Sequence, residues 1–396
     1  MRYSSIRPSH TATPRHASHR IASSAACRPP ASIRLGKRWT EFQGANNWDN
    51  LLDPLDPTLR SEILRYGSFV QATYSSCDLD TSSPFYASCR FPKHSLLRLS
   101  GLPFSGYRVT RNLHATSGSC LPNWAAAAAP ASLSRQTSWI GFIAVCHDDA
   151  ELARLGRRDI VIALRGTVTA LEWLDNLRAT LTHPTPSCSP THEPARTDPM
   201  VQRGFWSLFT SSSAAHRSLR DQVRDEIRRL LDQYSCDEMS ITITGHSLGA
   251  ALAVLTADDL STMLGPSKPM VTVVSFAGPR VGNASFRRRM EEQGSKVLRI
   301  VNTSDIITKV PGFVDERDKE RMVLNWLISK SGWVYADIGR ELRVSGRRNA
   351  NVVVCHDLSH YLQLVNQLSE VCPLVSQVER LPRGWRGTGI LASDAL

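Results

Sequence analysis

Five short apolar segments between Trp139 and Val301 constrain this chain more than any other feature. Asp159-Ile-Val-Ile-Ala-Leu164 is apolar after its first residue and rich in β-branched side chains. It is too short for a buried helix and reads as a strand covered on both faces. Trp139–Val145, Met239–Thr244, Met270–Phe276 and Lys296–Val301 read as four more strands. Helical patterns separate them. Leu219, Val223, Ile227 and Leu230 recur at helical intervals with charges filling the other face, and Leu248–Met263 is rich in Ala and Leu. Strands that alternate with helices in this way predict one α/β domain with a mostly parallel central sheet.

Around that framework the patterning is weaker. Pro57–Thr73 has helical spacing in Leu59, Ile63, Leu64 and Val70, whereas Trp39–Pro57 reads as an irregular entry segment. Ser75–Pro122 is turn-rich, Ala125–Ala131 reads as an exposed loop, and Pro184–Pro199 is broken repeatedly by Pro. Leu374–Leu396 has little pattern.

Gly245-His246-Ser247-Leu248-Gly249 follows the strand Ser240–Thr244 directly and opens the Ala-rich helix. This is the strand–turn–helix setting of a nucleophile elbow, in which a tight turn exposes the Ser hydroxyl. Gly245 and Gly249 leave room for strand and helix to approach. The Leu248 N–H, at the helix N-terminus, is placed for a developing oxyanion. His246 adjoins Ser247 and reads as structural. A serine nucleophile needs an orienting acid and a base, in chain order Ser, Asp, His for this fold. Asp305, just past the fifth strand, fits the acid better than Asp258 and Asp259 on the elbow helix or the charged run Asp315–Asp318. His356 follows the apolar stretch Val352-Val-Val, read as a short strand, and opens a helix. His360 lies one turn further, and spacing alone favours His356 over it. The turn after the second strand, Leu164-Arg165-Gly166-Thr167, offers the Thr167 N–H as a second oxyanion donor.

Charge and cysteine usage exclude other classes. The formal charge is +11, from 47 basic and 36 acidic residues. Met1–Arg38 carries seven Arg, one Lys and no acid, which leaves 39 basic residues against 36 acids for the remainder. That remainder has no electrostatic footprint for nucleic acid. The leader is Arg- and Ser-rich and lacks an apolar run, which is the composition of an organelle transit peptide, chloroplast ahead of mitochondrion. No apolar run is long enough to span a bilayer, so membrane contact is expected to be peripheral. Nine Cys with no Cys-x-x-Cys form neither a zinc pattern nor a disulfide framework, and most of them read as buried small hydrophobes in a reducing compartment. His356 and His360 stand four apart without a third clustered ligand, so no metal and no cofactor are expected.

Several motifs occur in one order. They are Arg165-Gly-Thr167, Gly245-His-Ser-Leu-Gly-Ala-Ala251, Phe276-Ala-Gly-Pro-Arg-Val-Gly282, Asn302-Thr-Ser-Asp305 with Lys309-Val-Pro-Gly312, and Cys355-His-Asp-Leu358 with Tyr361-Leu362. With the entry segment Asn47–Asp56 and with Arg90-Phe-Pro92 they resemble the class 3 lipases, and within them the plant phospholipase A1 class I group, the DAD1-like acylhydrolases. The resemblance runs from Trp39 to Val365. It implies an α/β-hydrolase fold in a chloroplast. It implies cleavage of the sn-1 ester of phosphatidylcholine, and often of galactolipids and triacylglycerol, releasing fatty acid and lysolipid. It places the base on His356 and supports the oxyanion role of Thr167. The expected organisation is therefore a transit peptide over 1–38, a lipase domain over 39–370 and a tail over 371–396. A lid or apolar rim is expected at Pro184–Met200 or Trp326–Trp333. The rival readings are a galactolipase or carboxylesterase with little phospholipase activity, and a non-catalytic lipid-binding homologue.

Overall fold

The computed structural model describes residues 34–80, 82–117, 137–167, 180–184, 198–265, 269–311, 335–346 and 351–368. The expectations for the leader before residue 34, for Ala125–Ala131, for 185–197, for Trp326–Trp333 and for the tail lie outside these residues.

Eleven strands are described in chain order: β1 (Tyr107–Thr116), β2 (Thr137–Cys146), β3 (Arg158–Leu164), β4 (Leu181–Thr182), β5 (Val201–Gln202), β6 (Met239–His246), β7 (Met270–Phe276), β8 (Gly282–Asn283), β9 (Lys296–Asn302), β10 (Tyr335–Ala336) and β11 (Arg340–Val344). Seven form the main sheet, in the order β1-β2-β3-β6-β7-β9-β11. The first two pairings are antiparallel and those from β3 to β11 are parallel. The short strands make a separate sheet, β10-β8-β5-β4. This is the α/β-hydrolase fold, and all five expected strands lie in its main sheet.

Two apolar cores sandwich that sheet, and alternation along each strand assigns side chains to one or the other. Val161 and Ala163 face the core shared with the helices Pro57–Ser76 and Leu358–Gln367, while Ile160, Ile162 and Leu164 face the opposite one. There the helices Arg203–Thr210 and Leu219–Gln233 cover the elbow helix Leu248–Leu264, which is buried around most of its circumference. Its first three turns are Ala- and Leu-rich because they are buried on every side. The helix Pro57–Ser76 starts where Asp56 accepts from the Thr58 and Leu59 amides, with Pro57 in the first turn.

Two features differ from the sequence expectation. β1 is a ten-residue strand inside the stretch read as turn-rich. Its register shifts between Val109 and Arg111 and again at Leu113. Tyr107 and Val109 therefore face one core while Leu113 and Ala115 face the other, and no single alternation survives for the sequence to display. Val352–His356 is a helical turn rather than a strand, capped by the Asn351 side chain on the Val353 amide. At the start of the described residues the chain already packs onto the rest of the fold. Leu35 is buried and its amide donates to the Arg154 carbonyl at 2.8 Å; one apolar side chain carries no compositional signal.

Between the sheet and the helix Pro57–Ser76 sits a buried polar network centred on Asp159, which is fully buried. Its carboxylate accepts from Tyr107 Oη at 2.8 Å, Ser240 Oγ at 2.9 Å, Tyr66 Oη at 3.0 Å and Thr242 Oγ1 at 3.1 Å. Arg65 lies at 3.3 Å and Arg157 at 3.9 Å. Burial alone would raise the Asp159 carboxyl; Arg157, Arg65 and the hydroxyl donors outweigh it and hold it below the usual range. A lowered folded value means that the ionised group stabilises above its unfolded value, about pH 3.9, and that this contribution is lost as pH falls through the folded value. Asp159→Asn should cost about 3–5 kcal/mol at neutral pH, because it removes the buried charge that faces the fully buried Arg157, while Arg65 keeps Glu62 at 2.6 Å. Chemical denaturation should also show a shallower acid limb below about pH 4 than in the parent. A neutral-pH loss under about 1 kcal/mol would show that the network is not a structural tie.

Candidate active site

The site lies beyond the carboxyl ends of β3, β6 and β9, where open α/β sheets place their ligands. β6 runs straight into Ser247, whose backbone sits at φ 56° and ψ −123°. A non-glycine residue there costs about 1–3 kcal/mol. The Ser247 amide donates to the Phe276 carbonyl at 3.0 Å, which anchors the turn to the end of β7. Any Cβ on Gly245 would come within 2.4 Å of the Gly249 backbone, and one on Gly249 within 2.4 Å of the Leu164 carbonyl oxygen. Strand, turn and helix are thus packed main chain to main chain. Leu248 is the first helical residue, so its N–H has no acceptor within the helix.

β9 ends at Asn302 and delivers Asp305, which is fully buried. Asp305 Oδ1 accepts from the Ile307 amide at 2.9 Å. Its Oδ2 accepts from Tyr361 Oη at 2.7 Å and from His356 Nδ1 at 2.7 Å. An ionised carboxylate only accepts, so His356 carries its proton on Nδ1 and presents a bare Nε2. Tyr361 in turn accepts from the Asn302 amide at 3.0 Å, and Asn302 Nδ2 donates to the Cys355 carbonyl at 2.9 Å. Burial, with Asp305 alongside, pushes the Tyr361 phenol well up, so it remains a donor.

The structure therefore joins Asp305 to His356 and sets the elbow beside them. Among the described residues, neither Ser247 Oγ nor His356 Nε2 has a hydrogen-bond partner, and both are buried. Thr167 Oγ1 is a third such atom. Gly166 brings the Thr167 loop against the elbow: a Cβ on Gly166 would meet Ser247 Cβ at 3.0 Å and Tyr74 Oη at 2.6 Å. His360 goes elsewhere, with its ring facing Gly346 and its amide on Asp357. Asp258 and Asp259 lie at the far end of the elbow helix, paired with Arg289 and Arg224 at 2.9 Å and 2.6 Å. Burial raises Asp258 to about 6, helped by the charge of Asp259 and opposed by Arg289. Among the described residues no three His, Cys, Asp or Glu side chains group to hold a metal ion.

His246 does more than fill space. Tyr74 Oη accepts from the Gly166 amide at 2.9 Å and lies 2.7 Å from His246 Nδ1. His246 Nε2 lies 2.7 Å from the His356 carbonyl oxygen. A carbonyl can only accept, so Nε2 bears the proton and Nδ1 accepts from Tyr74. Burial, then the nearby His356, lowers the His246 imidazole to about 3, so this neutral tautomer persists at working pH. One relay thus links the Thr167 loop, the elbow and the main chain of His356. Sequence reasoning missed Tyr74 and Asn302. Nothing in the local pattern around either residue reports contacts made across 172 or 53 positions.

Residues 161–315 match the family model described as lipase (class 3). The chain is 52% identical over 366 residues to the chloroplastic phospholipase A(1) DAD1 of Arabidopsis thaliana, spanning 88% of this chain and 81% of that protein. It is 40% identical to the chloroplastic galactolipase DONGLE of the same plant, over 86% of this chain and 72% of that protein. A solved structure of the nonglycosylated LIP2 lipase of Yarrowia lipolytica aligns with a TM-score of 0.45 at 19% identity, covering 74% of this chain and 80% of that one. On its likeness to these plant enzymes, the chain belongs to the plant phospholipase A1 class I group of the class 3 lipase family.

Proposed function

We infer that this protein is a serine acylhydrolase that cleaves the sn-1 ester of phosphatidylcholine, with galactolipid and triacylglycerol as further substrates. The observation that carries this reading is the buried His356–Asp305 pair with a bare Nε2, set beside a strained Ser247 whose hydroxyl has no partner among the described residues. His356 Nε2 takes the Ser247 proton as Oγ attacks the ester carbonyl. The amides of Leu248 and Thr167, with the Thr167 hydroxyl, meet the oxyanion, one such donor contributing about 2.7–4 kcal/mol. Asp305 stabilises the imidazolium, which then protonates the departing lysolipid oxygen. Water, deprotonated by His356, releases the fatty acid and restores Ser247. Asp305 and His356 keep their geometry because Tyr361 and Asn302 brace them.

Exposed Ile306 follows Asp305 in the chain, and exposed Val353 and Val354 precede His356 on the same helical turn. They supply an apolar rim for an acyl chain leaving a bilayer, and contact with the membrane is peripheral in this reading. Among the described residues no helix is long and apolar enough to cross a membrane. The acid-free leader over 1–38 and the chloroplastic names of the relatives support a plastid location.

Three outcomes follow. Full-length protein given phosphatidylcholine with different acyl groups at the two positions should release the sn-1 acid, and Ser247→Ala should reduce turnover by about 10⁶-fold; release mainly from sn-2, or activity surviving in that variant, would contradict the assignment. Tyr74→Phe strands the Gly166 amide and His246 Nδ1, so kcat per titratable serine should fall about tenfold with KM little changed. Unchanged turnover per titrated site, whatever the thermal midpoint, would reduce Tyr74 to a packing role. Residues 1–38 fused to a fluorescent protein should enter plastids of leaf cells, and a cytosolic signal would remove the targeting assignment.

A further inference from the structure

The helix Pro57–Ser76 that supplies Tyr74 ends on a cysteine with a partner. Cys77 and Cys89 face each other across an isolated antiparallel bridge, and both are unlinked thiols. The Arg90 amide donates to the Ser76 carbonyl at 2.7 Å and the Asp78 amide to the Ser88 carbonyl at 2.9 Å. These bonds flank the cysteines, which makes them a non-hydrogen-bonded antiparallel pair. In such a pair the Cα atoms are about 4.5 Å apart and both side chains stand on one face. A disulfide spans Cα separations of about 4.4–6.8 Å, so the backbone already has the required geometry. The turn between them is tied to the sheet, since the Trp139 amide donates to the Ala87 carbonyl at 2.9 Å. Cys77 is buried in the core under that helix, and Cys89 is half-buried and packs against the same core.

The neighbours of Cys77 give the pair a route to the candidate site. Arg165 lies beside the Cys77 thiol and partly offsets the burial that raises it. The same guanidinium holds the Gly166 carbonyl at 2.8 Å and the Trp139 carbonyl at 2.9 Å. Arg165 therefore shapes the loop that carries Thr167. Cys77 also follows Tyr74 by three residues, and its amide donates to the Tyr74 carbonyl at 3.2 Å. Both the guanidinium and the phenol that position the oxyanion loop are anchored next to one sulfur.

We propose that Cys77 and Cys89 form a reversible disulfide, an oxidation site that adjusts turnover through Arg165 and the Gly166–Thr167 loop. The oxidant is a disulfide, either glutathione disulfide or the disulfide of a dithiol-exchange protein. The half-buried Cys89 thiolate attacks one oxidant sulfur and expels one thiolate, leaving a mixed disulfide. Cys77 then attacks Cys89 Sγ and expels the second thiolate. Two protein thiols lose two protons and two electrons, and the oxidant disulfide becomes two thiols. Drawing Cys77 Sγ toward Cys89 moves it from Arg165 and loosens the loop that meets the oxyanion. The coupling to turnover rests on the acylhydrolase reading; formation of the bond does not.

The test treats purified full-length protein with glutathione disulfide or with dithiothreitol, then maps peptides without reduction. The expected product joins the Cys77 and Cys89 peptides, two hydrogens lighter than their sum; Cys77 still alkylatable after the oxidising treatment, or Cys89 paired elsewhere, overturns the site. Turnover of para-nitrophenyl butyrate is read in both states. Oxidation should lower kcat about tenfold, reversibly with dithiothreitol, and Cys89→Ser should abolish the response. Cys236→Ser, which removes an exposed thiol, should keep it. Equal turnover in both states with the peptides linked overturns the coupling. Inactivity in both states, with the peptides linked, overturns the coupling by way of the acylhydrolase reading and leaves the disulfide site standing.

Discussion

The strained turn at Ser247 is the constraint around which the rest of the molecule is arranged. A left-handed φ at a serine persists only where its surroundings over-determine it. Here the surroundings are main chain on three sides: the Phe276 carbonyl holds the Ser247 amide, Gly245 abuts Gly249, and Gly249 abuts Leu164. Those contacts require β3, β6 and β7 to lie side by side in register, with Leu164 opposite Gly245 and Gly245 opposite Ser275. They also require an elbow helix with small side chains on its sheet-facing turn. Changing any of these would move the hydroxyl before it changed the chemistry of any side chain.

Around that turn the polar groups are held in fixed hydrogen-bonding roles. Asp305 accepts from three donors and so remains the acceptor that orients His356. His246 stands between Tyr74 and the His356 carbonyl and stays neutral because burial opposes its charged form. An imidazolium there would place a buried positive charge against the ring of His356. The two histidines in this site, with rings 4.9 Å apart, thus differ: His246 is tied at both nitrogens, and His356 is tied at Nδ1 alone among the described residues. Each is assigned by what its other nitrogen or its main chain touches, not by its type.

The interior is less apolar than the strand sequences suggest. Ser240, Thr242 and Asp159 point from β6 and β3 toward the helix Pro57–Ser76, where Tyr66 and the Arg65 and Arg157 guanidinium groups satisfy them. A polar layer of this kind makes the position of the helix specific, because a slipped helix would strand several buried polar groups at once. It also fixes where Tyr74 and Cys77 arrive at the far end of that helix, next to Gly166 and Arg165.

The parallel core strands, the elbow and its helix were legible in the sequence because each rests on local pattern: uninterrupted apolar runs, glycines at fixed offsets, and a switch to helical periodicity. Asp305 and His356 were legible from their order along the chain, with ordered motifs to support them. β1 was not, because the extra residue Thr110 moves its apolar side chains from one core to the other and breaks the alternation that marks a strand. Nor was the short helix at His356, where three consecutive Val residues carry strand propensity and an Asn cap with tertiary packing overrides it. The sequence by itself determined which groups the chain carries and where the backbone must turn sharply. Only the tertiary structure decided which nitrogen of each histidine bears its proton, what holds the Thr167 loop, and which cysteines face each other. Those are properties of contacts between residues far apart in the chain, and no local pattern encodes them.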